Sequence, residues 1–156
     1  MFDRTKSLQG QYAPHNACFG CGPANDKGLQ IQSFVDNDIV VAQWLPEVHH
    51  EAFPGMLNGG IIGALLDCHS NWSAAYHLML SQNLDKPPCT VTAYFNVSLK
   101  RPTSSQSQVS LTAKIAEIKG DQVIVNASLS SGGKVCATCV GKFVAVKEGH
   151  PAFHRW

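Results

Sequence analysis

One acid stands alone in an apolar run. Asp67 follows Gly59-Gly60-Ile61-Ile62-Gly63-Ala64-Leu65-Leu66, which itself follows Phe53-Pro54-Gly55-Met56-Leu57-Asn58. A carboxylate among apolar neighbours is costly unless it is paired or used. Its available chemistry is that of a nucleophile or a general base. The glycines supply the complement, because free backbone N–H groups at a helix start can hold a developing negative charge. Glycine also costs a helix about 1 kcal/mol against alanine, which argues that the backbone here must approach something closely. Asp67 and Gly59 are therefore the candidate acid and the candidate oxyanion donor.

The six cysteines include two C-x-x-C pairs, Cys18-Phe19-Gly20-Cys21 and Cys136-Ala137-Thr138-Cys139, a pattern that can signal zinc. The second pair lies in residues 135–146, where both alternating sets of positions are small or apolar, as in a strand buried on both faces. Residues i and i+3 of a strand point to opposite faces, so its two sulfurs would not grip one tetrahedral ion. The thiols are expected to be buried and free, with no metal and no cofactor. His49, His69 and His77 lack ligand spacing and read as satisfied or half-exposed side chains, and Lys100-Arg101 as a strand-end pair near solvent.

The elements that must hold Asp67 follow from periodicity. Residues 59 to about 81 read as a helix whose apolar residues cover nearly the whole circumference, the pattern of a helix wrapped on all sides. One strip of it (Gly60, Gly63, Ala64, Asp67, Ser70, Asn71 and Ala74) is small or polar, so Asp67 borders a tight crevice. Before the helix, residues 1–28 read as an irregular lead-in. Residues 29–34 and 39–45 then form a hairpin around Asp36-Asn37-Asp38, and 46–58 a loop. After Lys86-Pro87-Pro88 come four strands, 90–100, 108–118, 123–129 and 135–146, followed by a tail over 148–156. Short connections dictate antiparallel pairing. The fold class is α+β, one curved antiparallel sheet wrapped around a long central helix. The sheet surface that one helix leaves open is expected to be hidden by self-association.

The whole chain, 1–156, reads as a single domain, with 44% hydrophobic and 15% charged residues. A formal net charge of +1 gives no electrostatic case for nucleic acid or an anionic membrane. The sequence begins without an apolar targeting region. Asp67, His69 and Asn71 interrupt the best candidate for a membrane span, so a cytoplasmic protein with reduced thiols is the expectation.

Three motifs in order resemble the hotdog-fold acyl-CoA thioesterases, specifically the PaaI-like, phenylacetate-pathway branch. They are His50-Glu51-Ala52-Phe53-Pro54-Gly55-Met56-Leu57-Asn58-Gly59-Gly60 with Asp67 at the expected distance, Thr92-Ala93-Tyr94-Phe95-Asn96 running to Arg101-Pro102, and the early Cys18-Phe19-Gly20-Cys21-Gly22-Pro23-Ala24-Asn25 with Gly28-Leu29. The likeness covers about residues 16 to 147. It implies hydrolysis of an acyl-CoA to free acid and CoA in a homodimer or dimer of dimers. Asp67 would be nucleophile or general base, and the Gly59 N–H the oxyanion donor. Thr92 would come from the partner subunit to orient the acid or a water. Gly60, His50 and Asn71 would contact substrate. Asn58 stands where the branch usually has His; it can donate a hydrogen bond but cannot move a proton. Two other readings stay open: a non-catalytic acyl-CoA binder, and a 3-hydroxyacyl-thioester dehydratase, which the lost His disfavours.

Overall fold

A computed structural model describes residues 5–156; the first four residues of the lead-in lie outside it. The lead-in holds a short helix, α1 (Leu8–Tyr12), capped by the Ser7 side chain, which accepts the Gly10 N–H. The expected hairpin forms between β1 (Phe34–Asp36) and β2 (Ile39–Trp44). Its first strand shares only Phe34 with the 29–34 span expected and runs into Asp36, a residue expected in the turn. Gln30 has φ +51°, a left-handed conformation that breaks an extended run. The Leu29 and Ile31 N–H groups bond instead to the Phe19 and Gly20 carbonyls of the lead-in.

The loop expected over 46–58 is more ordered than a plain connection. A 3₁₀ turn (Val48–His50) leads into a small hairpin of β3 (Glu51–Phe53) and β4 (Met56–Leu57). Gly55, at φ +83°, supplies the left-handed residue of its turn. The Glu51 carboxylate accepts from the Gly55 N–H at 3.2 Å and from the Ser105 hydroxyl at 2.5 Å. The Leu57 N–H bonds to the Thr103 carbonyl. These bonds anchor the segment that delivers the helix start.

The long helix, α2, spans Gly59–Ser81. After it come β5 (Thr90–Leu99), β6 (Val109–Lys119), β7 (Gln122–Ser131) and β8 (Lys134–Ala145). One six-stranded sheet results, in the order β1-β2-β6-β7-β8-β5, with antiparallel pairing throughout. β6, β7 and β8 form a meander, whereas β5 pairs with β8 and becomes an edge.

The all-round apolarity of α2 has a physical cause. The sheet covers one side, through β2, β5, β6, β7 and β8. The lead-in covers another, its Leu8, Cys21, Leu29 and Ile31 sharing one core with Leu65, Leu66, Trp72 and Leu78. The tail closes a third: Trp156 stacks on Trp72 with ring centroids 4.6 Å apart and donates its indole N–H to the Pro87 carbonyl. His69 is fully buried and satisfied on both ring nitrogens, by the Ser33 hydroxyl at 2.8 Å and the Val40 carbonyl at 3.0 Å. Gln9 completes that network by bonding to Ser33. Burial lowers the pKa of His69 to about 4, so it stays neutral and structural.

Candidate active site

The small-residue strip of α2 divides in two. Its second half, Ser70, Asn71 and Ala74, is buried. Its first half opens on a groove of about 470 Å³, lined by Gly59, Gly60, Gly63, Ala64 and Asp67 on one wall and Phe95, Val97 and Leu99 of β5 on the other. A larger hollow, about 710 Å³, lies beside β2 and β6. Its lining carries no acid, histidine or cysteine, so it has nothing with which to do acid–base chemistry.

Asp67 sits a little over two turns into α2, half-buried. The Thr92 hydroxyl donates to its Oδ1 at 2.7 Å. A bulge makes this contact: Thr92 pairs with Phe143 and Tyr94 with Lys142, leaving Ala93 as the extra residue. Bulges re-aim side chains next to the point of irregularity. Burial, the largest influence, pushes the Asp67 pKa up; the Thr92 hydrogen bond pulls it down and the Cys18 sulfur pushes it up again. A carboxylate held partly out of water on a groove wall, with one oxygen accepting a hydroxyl, has the chemistry of a base or nucleophile.

The Asp67–Thr92 bond is made within one chain. That differs from the partner-subunit role that the resemblance implies for Thr92. The reason is topological, since β5 lies against α2 of its own chain.

Asn58 is the N-cap of α2: its side-chain oxygen accepts the Ile61 N–H at 3.1 Å, and its carbonyl accepts the Ile62 N–H. A helix start leaves four N–H groups without intrahelical partners: here that of Asn58 bonds to the His50 carbonyl and that of Ile61 to the Asn58 side chain. The remaining two belong to Gly59 and Gly60, at the groove. A Cβ on Gly59 would meet Leu99 Cδ1 at 3.2 Å, and one on Gly60 would meet Asn58 Oδ1 at 3.0 Å. The glycines thus keep the helix start close to both β5 and its own cap.

Two expected substrate contacts sit elsewhere. His50 is buried; its Nδ1 accepts the Glu47 N–H at 2.9 Å and its ring packs on Trp44. Asn71 accepts the Thr90 hydroxyl at 2.6 Å, tying β5 to α2 one turn beyond Asp67. Neither lines the groove. Among residues the sequence did not single out, Phe95, Val97 and Leu99 form the apolar wall; strand alternation alone would have placed them on one face.

All six cysteines are free. No cluster joins the two C-x-x-C pairs among the described residues. Instead, Cys18 and Cys21 meet Cys68, the residue after Asp67, with all three sulfurs within 4.8 Å of one another. Cys68 lies far from the first pair in the sequence, so no spacing signalled it. Among the described residues, no helix is long and apolar enough to cross a membrane.

No protein-family model matches the chain, and no curated protein is significantly similar to it in sequence. Solved structures are. A thioesterase superfamily protein from Shewanella loihica PV-4 is similar at 27% identity and a TM-score of 0.64, covering 80% of this chain and 98% of that one. The E. coli PaaI protein of the phenylacetic acid degradation operon is similar at 15% identity and 0.67, covering 80% and 88%. A phenylacetic acid degradation-related protein from Ralstonia eutropha JMP134 is similar at 19% and 0.66, covering 80% and 92%. The chain is a hotdog-fold protein whose structural neighbours are thioesterase superfamily proteins, PaaI among them.

Proposed function

We propose that the protein hydrolyses an acyl-CoA thioester to a free acid and CoA, with Asp67 as the acting carboxylate. The observation that carries this reading is the Thr92–Asp67 hydrogen bond at the end of an apolar-walled groove that begins at two helix-start N–H groups. In one route the free carboxylate oxygen attacks the carbonyl carbon, expelling CoA thiolate and leaving an anhydride that water then opens. In the other, Asp67 takes a proton from water as that water attacks. Both produce one acid and one thiol per water consumed, and both develop negative charge on the thioester oxygen.

The donor for that oxygen is the Gly59 N–H, and distance decides which copy supplies it. Eight residues of α-helix separate Gly59 from Asp67, about 12 Å of rise. One carbonyl touching both its attacker and its donor at about 3 Å spans only about 7 Å. Asp67 of one protomer therefore works with the Gly59 N–H of a second copy, as in a two-fold dimer with antiparallel α2 helices. The exposed Phe95 and Leu99 on the β5 edge support burial of that face by self-association. The subunit boundary falls between Asp67 and Gly59, with Thr92 on the Asp67 side.

Release of CoA thiol from short, medium and aromatic acyl-CoAs tests the reading: turnover is expected with the native protein and its loss in Asp67→Asn. Micromolar binding without turnover contradicts it and favours a non-catalytic binder. The dehydratase alternative has no support in the groove, whose described lining contains no histidine; hydration of crotonyl-CoA would revive it.

A further inference from the structure

Cys18 and Cys68 bring their sulfurs to 3.9 Å, and Cys21 joins them with every sulfur within 4.8 Å of the others. In a tetrahedral zinc–thiolate site with Zn–S bonds of about 2.3 Å, neighbouring sulfurs lie about 3.8 Å apart. A disulfide needs its two sulfurs at about 2.05 Å and would leave the third thiol single. The 3.9 Å Cys18–Cys68 separation fits two ligands of one ion, and the Cys21 sulfur lies within reach of the same centre.

Hydrogen-bond donors surround the three sulfurs. The backbone N–H groups of Gly20 and Cys21 face the Cys18 sulfur, and the Cys18 and Cys68 thiols are in hydrogen-bonding contact. The Trp72 indole N–H donates to the Cys21 sulfur at 3.3 Å. Such N–H···S bonds are the outer support that thiolate metal sites use. Gly20 is required for the arrangement, since a Cβ there would collide with the Cys68 sulfur. The turn is closed by the Gly22 N–H bonding to the Cys18 carbonyl at 2.8 Å.

We propose that Cys18, Cys21 and Cys68 bind one zinc(II) ion as three thiolates, with a water or small anion as fourth ligand. Three thiolates select a soft ion over magnesium or calcium. The ion would fasten the lead-in turn at residues 18–21 to α2 beside Asp67, stabilising the fold by the free energy of binding. This holds whether or not the protein is a thioesterase.

The test is metal content and coordination in the full-length protein, isolated under reducing conditions without chelators. One zinc per chain is expected, with three sulfurs at about 2.3 Å by X-ray absorption. Cobalt(II) replacing it should give thiolate-to-cobalt charge-transfer absorption. Cys68→Ser should lose the ion and lower the melting temperature, while Cys139→Ser should keep it. Should Cys68→Ser fail to fold, absorption spectroscopy on the native chain still decides. Native protein that takes up no zinc or cobalt overturns the proposal. So does a Cys18–Cys68 disulfide trapped in freshly isolated protein, or full zinc content in Cys68→Ser.

Discussion

Asp67 ionises against its surroundings, and that has a measurable cost. Burial raises its pKa, so at neutral pH the folded state carries a charge that the unfolded state holds more cheaply. Asp67→Asn removes the charge and keeps an oxygen for the Thr92 hydroxyl. The expected outcome is a higher melting temperature by calorimetry, together with a loss of turnover of about 10²–10⁴-fold. Thr92→Val deletes a hydrogen bond that lowers the Asp67 pKa. The acid limb of the pH–rate profile should therefore move to higher pH, while the native enzyme keeps its rate further into acid. Asn58 has a different office. As the N-cap it should matter for stability, so Asn58→Ala is expected to cost about 1 kcal/mol in denaturant unfolding, and Asn58→Asp almost nothing. The substitution of His by Asn that stands out in the sequence is thus answered locally: the residue there holds the helix start in shape.

The elements divide into those that local pattern dictates and those that only tertiary contacts decide. Helix α2 begins at the Gly59 that the glycine pair announced and ends at Ser81, because its apolar residues, cap and following prolines all agree. Strands β5 to β8 likewise follow strand composition and turn residues, although β8, expected to be buried on both faces, leaves Val135 and Val140 exposed. The bulge at Ala93 has no sequence signal, yet it aims Thr92 at Asp67. The left-handed Gln30 shortens β1 although residues 29–34 have strand composition, because the lead-in offers Leu29 and Ile31 other partners. His69 shows the same dependence: nothing in its spacing predicts a network running from Gln9 through Ser33 to Val40. That network makes a prediction for α2 as an element. With the folded pKa near 4 and the unfolded one near 6.5, the unfolded state binds the extra proton between these values. Stability should therefore fall as pH drops from about 6.5 to about 4, then stop falling on this account. His69→Gln should flatten that part of the pH–stability curve measured by urea unfolding; an unchanged slope would show that His69 is not the group responsible.

For the molecule as a whole, one chain holds an acid and its orienting hydroxyl at one end of a groove and helix-start N–H groups at the other, too far apart to serve one carbonyl. On the proposed mechanism the exposed β5 edge and the divided site have the same remedy, a second copy, and gel filtration should show at least a dimer. The proposed boundary could not be drawn from the sequence, because which strand lies against the helix is a property of the sheet order and not of any motif. Gly59→Pro separates the two halves cleanly. Proline is favoured at the first helical position and removes the N–H. Its Cβ would meet Leu99 Cδ1 at 3.2 Å, the end of an exposed side chain that can give by a few tenths of an ångström, and the preceding Asn58 already has the extended ψ of 133° that proline requires. The decisive measurement is acyl-CoA hydrolysis by Asp67→Asn, by Gly59→Pro, and by the two co-expressed in one oligomer. Each variant alone should lose nearly all thiol release, and the mixed dimer should recover up to about half of it, since one of its two sites has both an intact Asp67 and an intact Gly59 N–H. Native-like rates in Asp67→Asn alone, or a mixed oligomer as inactive as its parents, would contradict the account.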